Sequence, residues 1–476
     1  MRYIIYSVII CCCFAGTASA QKKWNLRDCV EYAMANNLSV KQVDLQTRLA
    51  EIQARQSRYS IFPNASLSLG PSFNNGRNQD PTSFNLITQS YVSTNVQLQT
   101  SVDIFNWFSK RNTIAANEWE LLAAKANTDK AKNDIALTVA NAYLQVLLAI
   151  EQQKIAEVQV QQSIAQLGNT RKMVDAGTLP ELNAAEVEAQ VARDSATYLT
   201  AKGAVEQNLL LLKSYMSIDA ATPFEIDTPP ADKIPVDPIG ELQPDAVYAL
   251  ALANMPQQKF NDFKLKAAHK NSAAARGLLY PTFSIWGSLG SGFNSRAQEI
   301  VSSSKINAPI GSVSVNGTDY TVFPSQPFTN YEYGKIGFFP QFNQNFRQAI
   351  GLTMSVPIFN GYAARSNYQR SKVTIQNQEL QKQVDDQKLK QDIYQAYNAA
   401  IIALEKYSAS KKSWETSERT YNFAKKRYDV GMLGTFELIT NQNNLFRAKL
   451  EYALNQFDYV FKMKVLEFYK GQGLKL

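Results

Sequence analysis

Hydrophobic and polar positions alternate strictly along parts of this chain. Between Val92 and Ile104, apolar or threonine side chains occupy every second position, and serine, asparagine, glutamine or aspartate mostly fills the positions between them. The segment from Phe346 to Ile358 keeps the same parity, and shorter alternating runs follow Pro63 and Pro281. A period of two predicts β-strands with one apolar and one polar face. The predicted strands are about 63–73, 91–106, 281–293 and 345–359.

Aromatic residues stand at both ends of these predicted strands. A soluble antiparallel sheet with one wet face shows the same alternation, as does a transmembrane barrel, whose strands take about 9 to 11 residues. Aromatic girdles at the two ends favour the barrel. In the first hairpin they comprise Phe62, Phe105, Trp107 and Phe108 at one end and Phe73, Phe84 and Tyr91 at the other.

Two long stretches have a helical period instead. From Tyr362 to Val430, 69 residues contain neither proline nor glycine, and only Gly168 interrupts the stretch from Trp107 to Ala176. At 1.5 Å per residue, such a helix reaches on the order of 100 Å. Glycine-containing turns follow, and each predicts a reversal into a returning helix. The predicted helical hairpins are about 107–216, with a tip at 175–180, and about 361–469, with a tip at 429–434.

The chain is internally duplicated. Phe105-Asn106 and the tip sequence around Gly177 recur 254 positions later, whereas Ala35-Asn36 and the proline at 63 recur 218 positions later. The second copy therefore has an enlarged loop, about 291–345, with 36 additional residues. Internal repeats indicate that one structural unit is used twice. The predicted organisation is repeat 1 at 21–221, a proline-rich linker at 222–243 and repeat 2 at 244–476.

The N-terminus has the order of a secretory signal peptide. Arg2 precedes an apolar run, and Ala18-Ser19-Ala20 precedes Gln21, which predicts a signal peptide at 1–20. Acylation at one of the cysteines at 11–13 is the alternative, although Ile-Ile precedes the first of them. After cleavage only Cys29 remains, so no intramolecular disulfide is expected. The later apolar patches are interrupted by charges or amides, so the mature chain is expected to cross a membrane as strands or not at all.

Charge and candidate chemistry exclude several function classes. The formal charge is +8, but 49 basic and 41 acidic residues are dispersed without a basic block, so no nucleic acid partner is expected. His269 is the only histidine and has no histidine or cysteine partner for a metal site. We find no nucleophile elbow or phosphate-binding loop. The sequence therefore predicts a protein that is not an enzyme, with no catalytic residues, metal or cofactor.

Four strands per chain would leave two edges unpaired in lipid, where unsatisfied backbone groups are costly. We therefore expect a barrel shared between copies. Two copies would give eight strands with a filled interior, whereas three would give twelve strands and a lumen. The predicted fold class is mostly α with membrane β-barrel strands: a duplicated β-hairpin and long coiled-coil helical hairpin, forming a trimeric β-barrel and an α-helical tunnel.

With these elements the chain resembles the TolC-like outer membrane efflux protein family. The resemblance covers essentially the whole mature chain and rests on the duplication, the strand hairpins ending in Phe-Asn, and the two tip turns. It implies a homotrimer in the outer membrane lipid of a Gram-negative bacterium, extending into the periplasm. It also implies an exit duct for a tripartite efflux pump or type I secretion system. The partners would be a periplasmic adaptor (membrane fusion protein) and an inner-membrane transporter of RND, ABC or MFS type.

The resemblance also suggests site residues near the tips. Tyr428 matches a tyrosine that helps to keep the aperture closed, and Glu437 matches an acidic ring at the entrance. Asn183 and Leu433 replace an acidic and a basic residue of the family's closing contact, and Thr440 stands where a second carboxylate is common. An exposed carboxylate in the first turn of a helix is the structural alternative for Glu437. The suggested adaptor-docking tips comprise Gly177, Thr178, Leu179, Gly431 and Met432.

Two other classes share part of this pattern. A periplasmic adaptor has a long helical hairpin, but normally only one per chain. A coiled-coil envelope structural protein would explain the helices, but not the duplicated strand hairpins. The sequence leaves open the cargo, the choice between efflux and protein secretion, and the role of the enlarged loop.

Overall fold

The computed structural model describes residues 23–79, 84–228 and 238–471. The predicted signal peptide and the centre of the predicted linker lie outside these residues. The chain divides into two compact units: a helical unit of residues up to Ala54, Ala116–His269 and Val373 onward, and a strand unit of Arg55–Ala115 and Lys270–Lys372. These units do not coincide with the predicted repeats, because each repeat supplies helices to one unit and strands to the other.

The two repeats share the order of two short helices, two sheet strands and two long helices, and the second has four strands and a short helix inserted between its sheet strands. The first contains α1 (Leu26–Asn36), α2 (Leu38–Tyr59), β1 (Asn64–Gln79), β2 (Leu86–Phe105), α3 (Ser109–Asp175) and α4 (Glu181–Met216). The second contains α5 (Pro244–Asn254), α6 (Pro256–Gly277), β3 (Thr282–Asn294), β4 (Gln298–Ile306), β5 (Gly311–Val315), β6 (Thr318–Val322), β7 (Phe328–Lys335), α7 (Phe338–Gln344), β8 (Arg347–Ser355), α8 (Ala363–Asp429) and α9 (Thr435–Phe468). A short 3₁₀ turn, Ile239–Glu241, precedes α5.

Local sequence explains where the short helices begin. The Asn25 side chain accepts a hydrogen bond of 2.7 Å from the Asp28 backbone N–H and thereby caps α1. In the second repeat, α5 begins instead with Pro244, whose missing N–H and fixed φ suit the first helical position. The two starts are 218 residues apart, the offset found for the early landmarks in the sequence.

The two largest apolar clusters of the helical unit hold the short helices α1 and α5. Cys29 of α1 and Tyr143 of α3 are fully buried in the first, and the Tyr143 hydroxyl donates to the Asp227 carbonyl at 2.5 Å. Burial raises the pKa of the Cys29 thiol to about 12. The second cluster contains Val247 of α5, Ile393 of α8 and Met463 of α9. Each repeat therefore anchors its first short helix against its own long helix.

The two long helices span 67 residues each, so each is about 100 Å long. Contrary to the expectation from its interrupted apolar patches, α3 contains an 18-residue window apolar enough to cross a membrane by composition alone. Half of that window is buried within the protein, as expected for a core helix. Small apolar residues such as Ala136, Val139 and Ala140 are buried on α3.

The strand unit contains a four-stranded antiparallel sheet in the order β1-β2-β3-β8. Leu67, Leu98 and Leu289 align across three strands on one face. Their neighbours Ser68, Gln97 and Gly290 align on the other face. The alternation in the sequence therefore becomes one apolar and one polar face, and β1 and β8 lie at the two outer edges.

The strand lengths differ from the predicted ones. β1 extends to Gln79, whereas the predicted strand ended at about 73. β8 spans only Arg347–Ser355, whereas the predicted strand was about 345–359. The enlarged loop contains two antiparallel strand pairs, β4 with β7 and β5 with β6, followed by α7. The sequence predicted this segment only as an enlarged loop. Strand pairing within the segment supplies its regular structure.

Candidate aperture and docking site

The two tips have the same backbone turn. Gly177 and Gly431 both have φ +74° at the C-terminal ends of α3 and α8. Each glycine N–H donates to the carbonyl three residues earlier, at 2.8 Å in the first tip and 2.9 Å in the second. The following N–H groups, of Thr178 and Met432, donate to carbonyls five residues earlier. This pair of bonds is the Schellman motif, for which glycine is preferred because it has no Cβ.

Side chains at the second tip are mostly apolar and exposed. Met432 is 69% exposed, and Val430 and Phe436 beside it are also exposed. At the first tip, Thr178 is exposed but its hydroxyl donates to the Met173 carbonyl at 2.7 Å, and Leu179 is half-buried. The five predicted docking residues thus lie at two separate turns, and the second presents more free apolar surface than the first.

Tyr428 lies one turn before the second tip and is buried. It packs with Ala424, Leu438 and the half-buried Leu433, so the structure brings two predicted aperture residues together. Its hydroxyl lies 3.3 Å from the hydroxyl of Thr170 on α3, and Thr170 is fully buried. This contact joins the second repeat to the first close to both tips.

Glu437 and Asn183 stand in the first turns of different helices. Glu437 is exposed near the start of α9, and its backbone carbonyl accepts a bond from the Asn441 amide at 2.8 Å. Asn183 is half-buried in α4, and its N–H donates to the Pro180 carbonyl at 3.1 Å. Thr440 is exposed and its hydroxyl bonds the Phe436 carbonyl. A carboxylate at a helix N-terminus is favoured by the helix dipole, which accounts for Glu437 without a partner side chain.

A buried polar network lies several turns away from the tips along α3 and α4, and the sequence did not predict it. Asp194 of α4 is 7% exposed, and its carboxylate accepts hydrogen bonds from Gln190 at 2.8 Å, from Gln159 at 3.5 Å and from the Ser163 hydroxyl. All three of these donors are neutral, and Arg193 donates to the side-chain oxygen of Gln190 at 2.7 Å. Buried carboxylates need such donors because burial removes the water that would otherwise solvate them.

The same network reaches the second repeat. Gln190 also donates to the Asn443 side chain of α9 at 3.1 Å, and the Gln442 amide lies 3.5 Å from the Ser163 hydroxyl. On α3, the polar residues involved follow one face at spacings of four, three and four: Gln159, Ser163, Gln166 and Thr170. This spacing is the one sequence signal that could have indicated the network.

The described part of the chain contains no group of three or more His, Cys, Asp or Glu side chains that could hold a metal ion. The chemistry near the tips is instead that of hydroxyls, amides, a buried carboxylate and exposed apolar side chains. Such an arrangement can form and break contacts between helices, and it can present a surface to another protein.

Comparison with known proteins identifies relatives by sequence and neighbours by fold. The toluene efflux pump outer membrane protein TtgC of Pseudomonas putida is 23% identical over 461 residues, covering 91% of this chain and 82% of that protein. The outer membrane efflux protein BepC of Brucella suis is 20% identical over 391 residues, covering 82% and 73%. The crystal structure of CusC superimposes with a TM-score of 0.73 at 16% identity and covers 96% of each chain.

The structure of VceC from Vibrio cholerae gives a TM-score of 0.72 at 15% identity, covering 94% of this chain and 97% of that one. These structures share the fold of outer membrane channels. The sequence pattern of the outer membrane efflux protein family matches residues 30–217 and 247–462, which is well over half of the chain. This protein therefore belongs to the outer membrane efflux protein family and is an outer membrane exit duct that extends into the periplasm.

Proposed function

We propose that three copies of the chain form a passive conduit whose aperture is at the hairpin tips and is opened by rearrangement of the helices there. One observation carries this proposal: the tips share a backbone turn, but only the second places a buried tyrosine against the opposite repeat, through Tyr428 and Thr170. A contact that joins two otherwise equivalent hairpins is suited to control their separation.

The sheet supports a trimer. Its order leaves β1 and β8 at the outer edges, and three copies would supply twelve strands. Twelve strands enclose a lumen, whereas the eight strands of a dimer would be filled by side chains. The polar face of the sheet, with residues such as Ser68 and Gln97, is suited to line such a lumen.

The aperture would use Tyr428 and Leu433 as packing residues and Glu437 as a charged one. Three copies would place three Glu437 carboxylates around the entrance, where a ring of like charges attracts cations. With Thr440 in place of a second carboxylate, we expect weaker attraction than from two stacked rings. Asn183 and Leu433 cannot form an ion pair, so closure would depend on packing and on neutral hydrogen bonds.

The exposed tips are suited to docking a periplasmic adaptor that links the duct to an inner-membrane transporter of RND, ABC or MFS type. Gly177, Thr178 and Leu179 would contribute from the first tip, and Gly431 and Met432 from the second. Energy for transport would come from the transporter. We favour efflux over protein secretion because the matched relatives TtgC and BepC are named for efflux.

Planar-bilayer recording with purified trimers tests the conduit. We expect ion channels whose preference for cations falls in Glu437→Gln. The preference should be unchanged in the control Glu418→Gln, since Glu418 is an exposed residue of α8 before the tip. Absence of channels would contradict the conduit. Equal selectivity of wild type and Glu437→Gln would contradict the assignment of the charged ring.

Affinity purification from the native membranes tests docking. The tagged protein is expected to retain a periplasmic adaptor, and Met432→Asp is expected to lose it because a charge would enter an apolar contact. Leu199→Asp is the matched control, since Leu199 is exposed on α4 but lies 22 residues beyond Gly177. Equal loss in both variants would indicate a general defect rather than a docking surface.

A further inference from the structure

The two outer edges of the sheet differ in length. β1 has 16 residues and β8 has nine. In the proposed trimer, on which this inference rests, β1 of one protomer would pair with β8 of the next. At most nine residues of β1 could then be paired in this way. In the proposed duct the strand ends connected to α2 and α8 would be the periplasmic ends, so the excess would lie at the outer end, from about Phe73 to Gln79.

Within the protomer, α7 takes the position that a longer β8 would occupy beside β3. The Gln341 side chain is 1% exposed and bonds the Asn294 backbone twice: its oxygen accepts from the N–H at 2.8 Å, and its amide donates to the carbonyl at 2.9 Å. The Asn345 amide donates to the Gly292 carbonyl at 2.7 Å. Side-chain amides of α7 and Asn345 thus hydrogen-bond the backbone groups of β3 that have no partner on β8.

An aromatic cluster fixes α7 at this edge. Phe338 contacts Phe293 of β3 with ring centroids 5.2 Å apart, and Phe342 with centroids 5.9 Å apart. Phe293 pairs with Thr94, and Phe73 pairs with Val92 two residues along, so both phenylalanines belong to the apolar face of the sheet. The aromatic side of α7 and the outer end of β1 therefore share a face.

One aromatic side chain on each of these surfaces is mostly exposed, although the Phe339 ring also contacts Phe338 edge-to-face with centroids 5.5 Å apart. Phe339 of α7 is 82% exposed, and Phe73 of β1 is 71% exposed. We propose that α7 closes the outer end of the barrel, beyond the first residue of β8. There Phe339 of one protomer would pack against Phe73 at the outer end of β1 of the next protomer. The second copy is the occupant favoured here because this contact continues the β1 and β8 interface. Unpaired strand edges are also strongly disfavoured in lipid.

Cysteine cross-linking in the full-length protein in membranes tests this contact. Phe339→Cys combined with Phe73→Cys is expected to form covalent dimers and trimers on oxidation, at least about tenfold more than either single variant. The matched control pairs Phe339→Cys with Leu67→Cys, because Leu67 is 62% exposed on the same face of β1 but lies nearer the periplasmic end. Little cross-linking is expected for that pair.

A protein that still migrates as a trimer but shows no excess cross-linking for the first pair would overturn the contact and leave the proposed conduit intact. A monomer would overturn both proposals. As a second readout, Phe339→Ser is expected to lower the temperature at which the detergent-resistant trimer dissociates. Tyr320→Ser, which alters another exposed aromatic residue of the enlarged loop, is expected not to lower it. If Phe339 only faces lipid, Phe339→Ser will leave this temperature unchanged, as Tyr320→Ser does, and the proposal fails.

Discussion

The two hairpin tips have equivalent backbones but different side chains. Gly177 and Gly431 share the same φ and the same pair of capping bonds. One turn earlier, however, the first repeat has Val174 where the second has Tyr428. The duplication therefore preserved the turn that reverses the chain, whereas the residues that contact neighbouring helices diverged.

The repeats also differ at a buried position on α4 and α9, several turns away from the tips. Asp194 of the first repeat corresponds at the 254-residue offset to Ala448 of the second, and both positions are buried. The carboxylate has hydrogen-bond donors on α3 and α4, and the network continues to α9. Polar contacts between the repeats were thus built from unlike residues. Variants at four places in the helical unit can sharpen or contradict this comparison.

The largest effect is expected for Asp194→Ala. Removing the carboxylate leaves the buried donors Ser163 and Gln159 without this acceptor, whereas Gln190 keeps its bond to Asn443, at a total cost of roughly 3 kcal/mol. Asp194→Asn should cost less because one acceptor oxygen remains. Urea unfolding followed by helical circular dichroism measures both. Equal stability of wild type and Asp194→Ala would show that the network contributes nothing to joining the helices.

Equal, intermediate effects are expected for Gly177→Ala and Gly431→Ala. An added Cβ would meet no atom within 4 Å at either position, so the cost comes from the left-handed conformation alone, about 1–2 kcal/mol. The same unfolding measurement applies to both variants. A clear difference between them would contradict the equivalence of the two turns.

A smaller effect is expected for Tyr428→Phe. This variant keeps the packing with Leu433 and Leu438 and removes only the 3.3 Å contact with Thr170, at a cost of about 1 kcal/mol. Double-mutant analysis with Thr170→Val would isolate the pair. Fully additive effects would mean that the two hydroxyls do not interact.

The smallest effect at neutral pH is expected for Cys29→Val, because Val247 fills the corresponding buried position of the second repeat. Burial raises the pKa of Cys29 from 9.0 to about 12, so the folded state retains the thiol proton better than the unfolded state. This contribution to stability is complete below pH 9 and is lost as the pH rises towards 12. Between pH 8 and pH 10.5 the wild type should lose more stability than Cys29→Val, which keeps only the loss from buried tyrosines such as Tyr143, whose pKa burial also raises.

The sequence predicted the long helices and their tips because proline and glycine are nearly absent between defined turns. The sequence also predicted the family. Membership of that family supports an exit duct and argues against a periplasmic adaptor or a structural coiled coil. It did not predict where β8 begins, because the bonds from Gln341 to Asn294 depend on tertiary contact. The Asp194 network was missed for the same reason: its members come from α3, α4 and α9.

The conductance of single channels tests the central claim most directly. Tyr428→Ala removes the buried side chain between the repeats, whereas Val174→Ala alters the corresponding position of the first repeat. In planar bilayers, we predict that Tyr428→Ala raises the conductance or the open fraction well above that of the wild type and that Val174→Ala does not. Channels of equal conductance and open fraction in all three proteins would contradict an aperture controlled at the second tip.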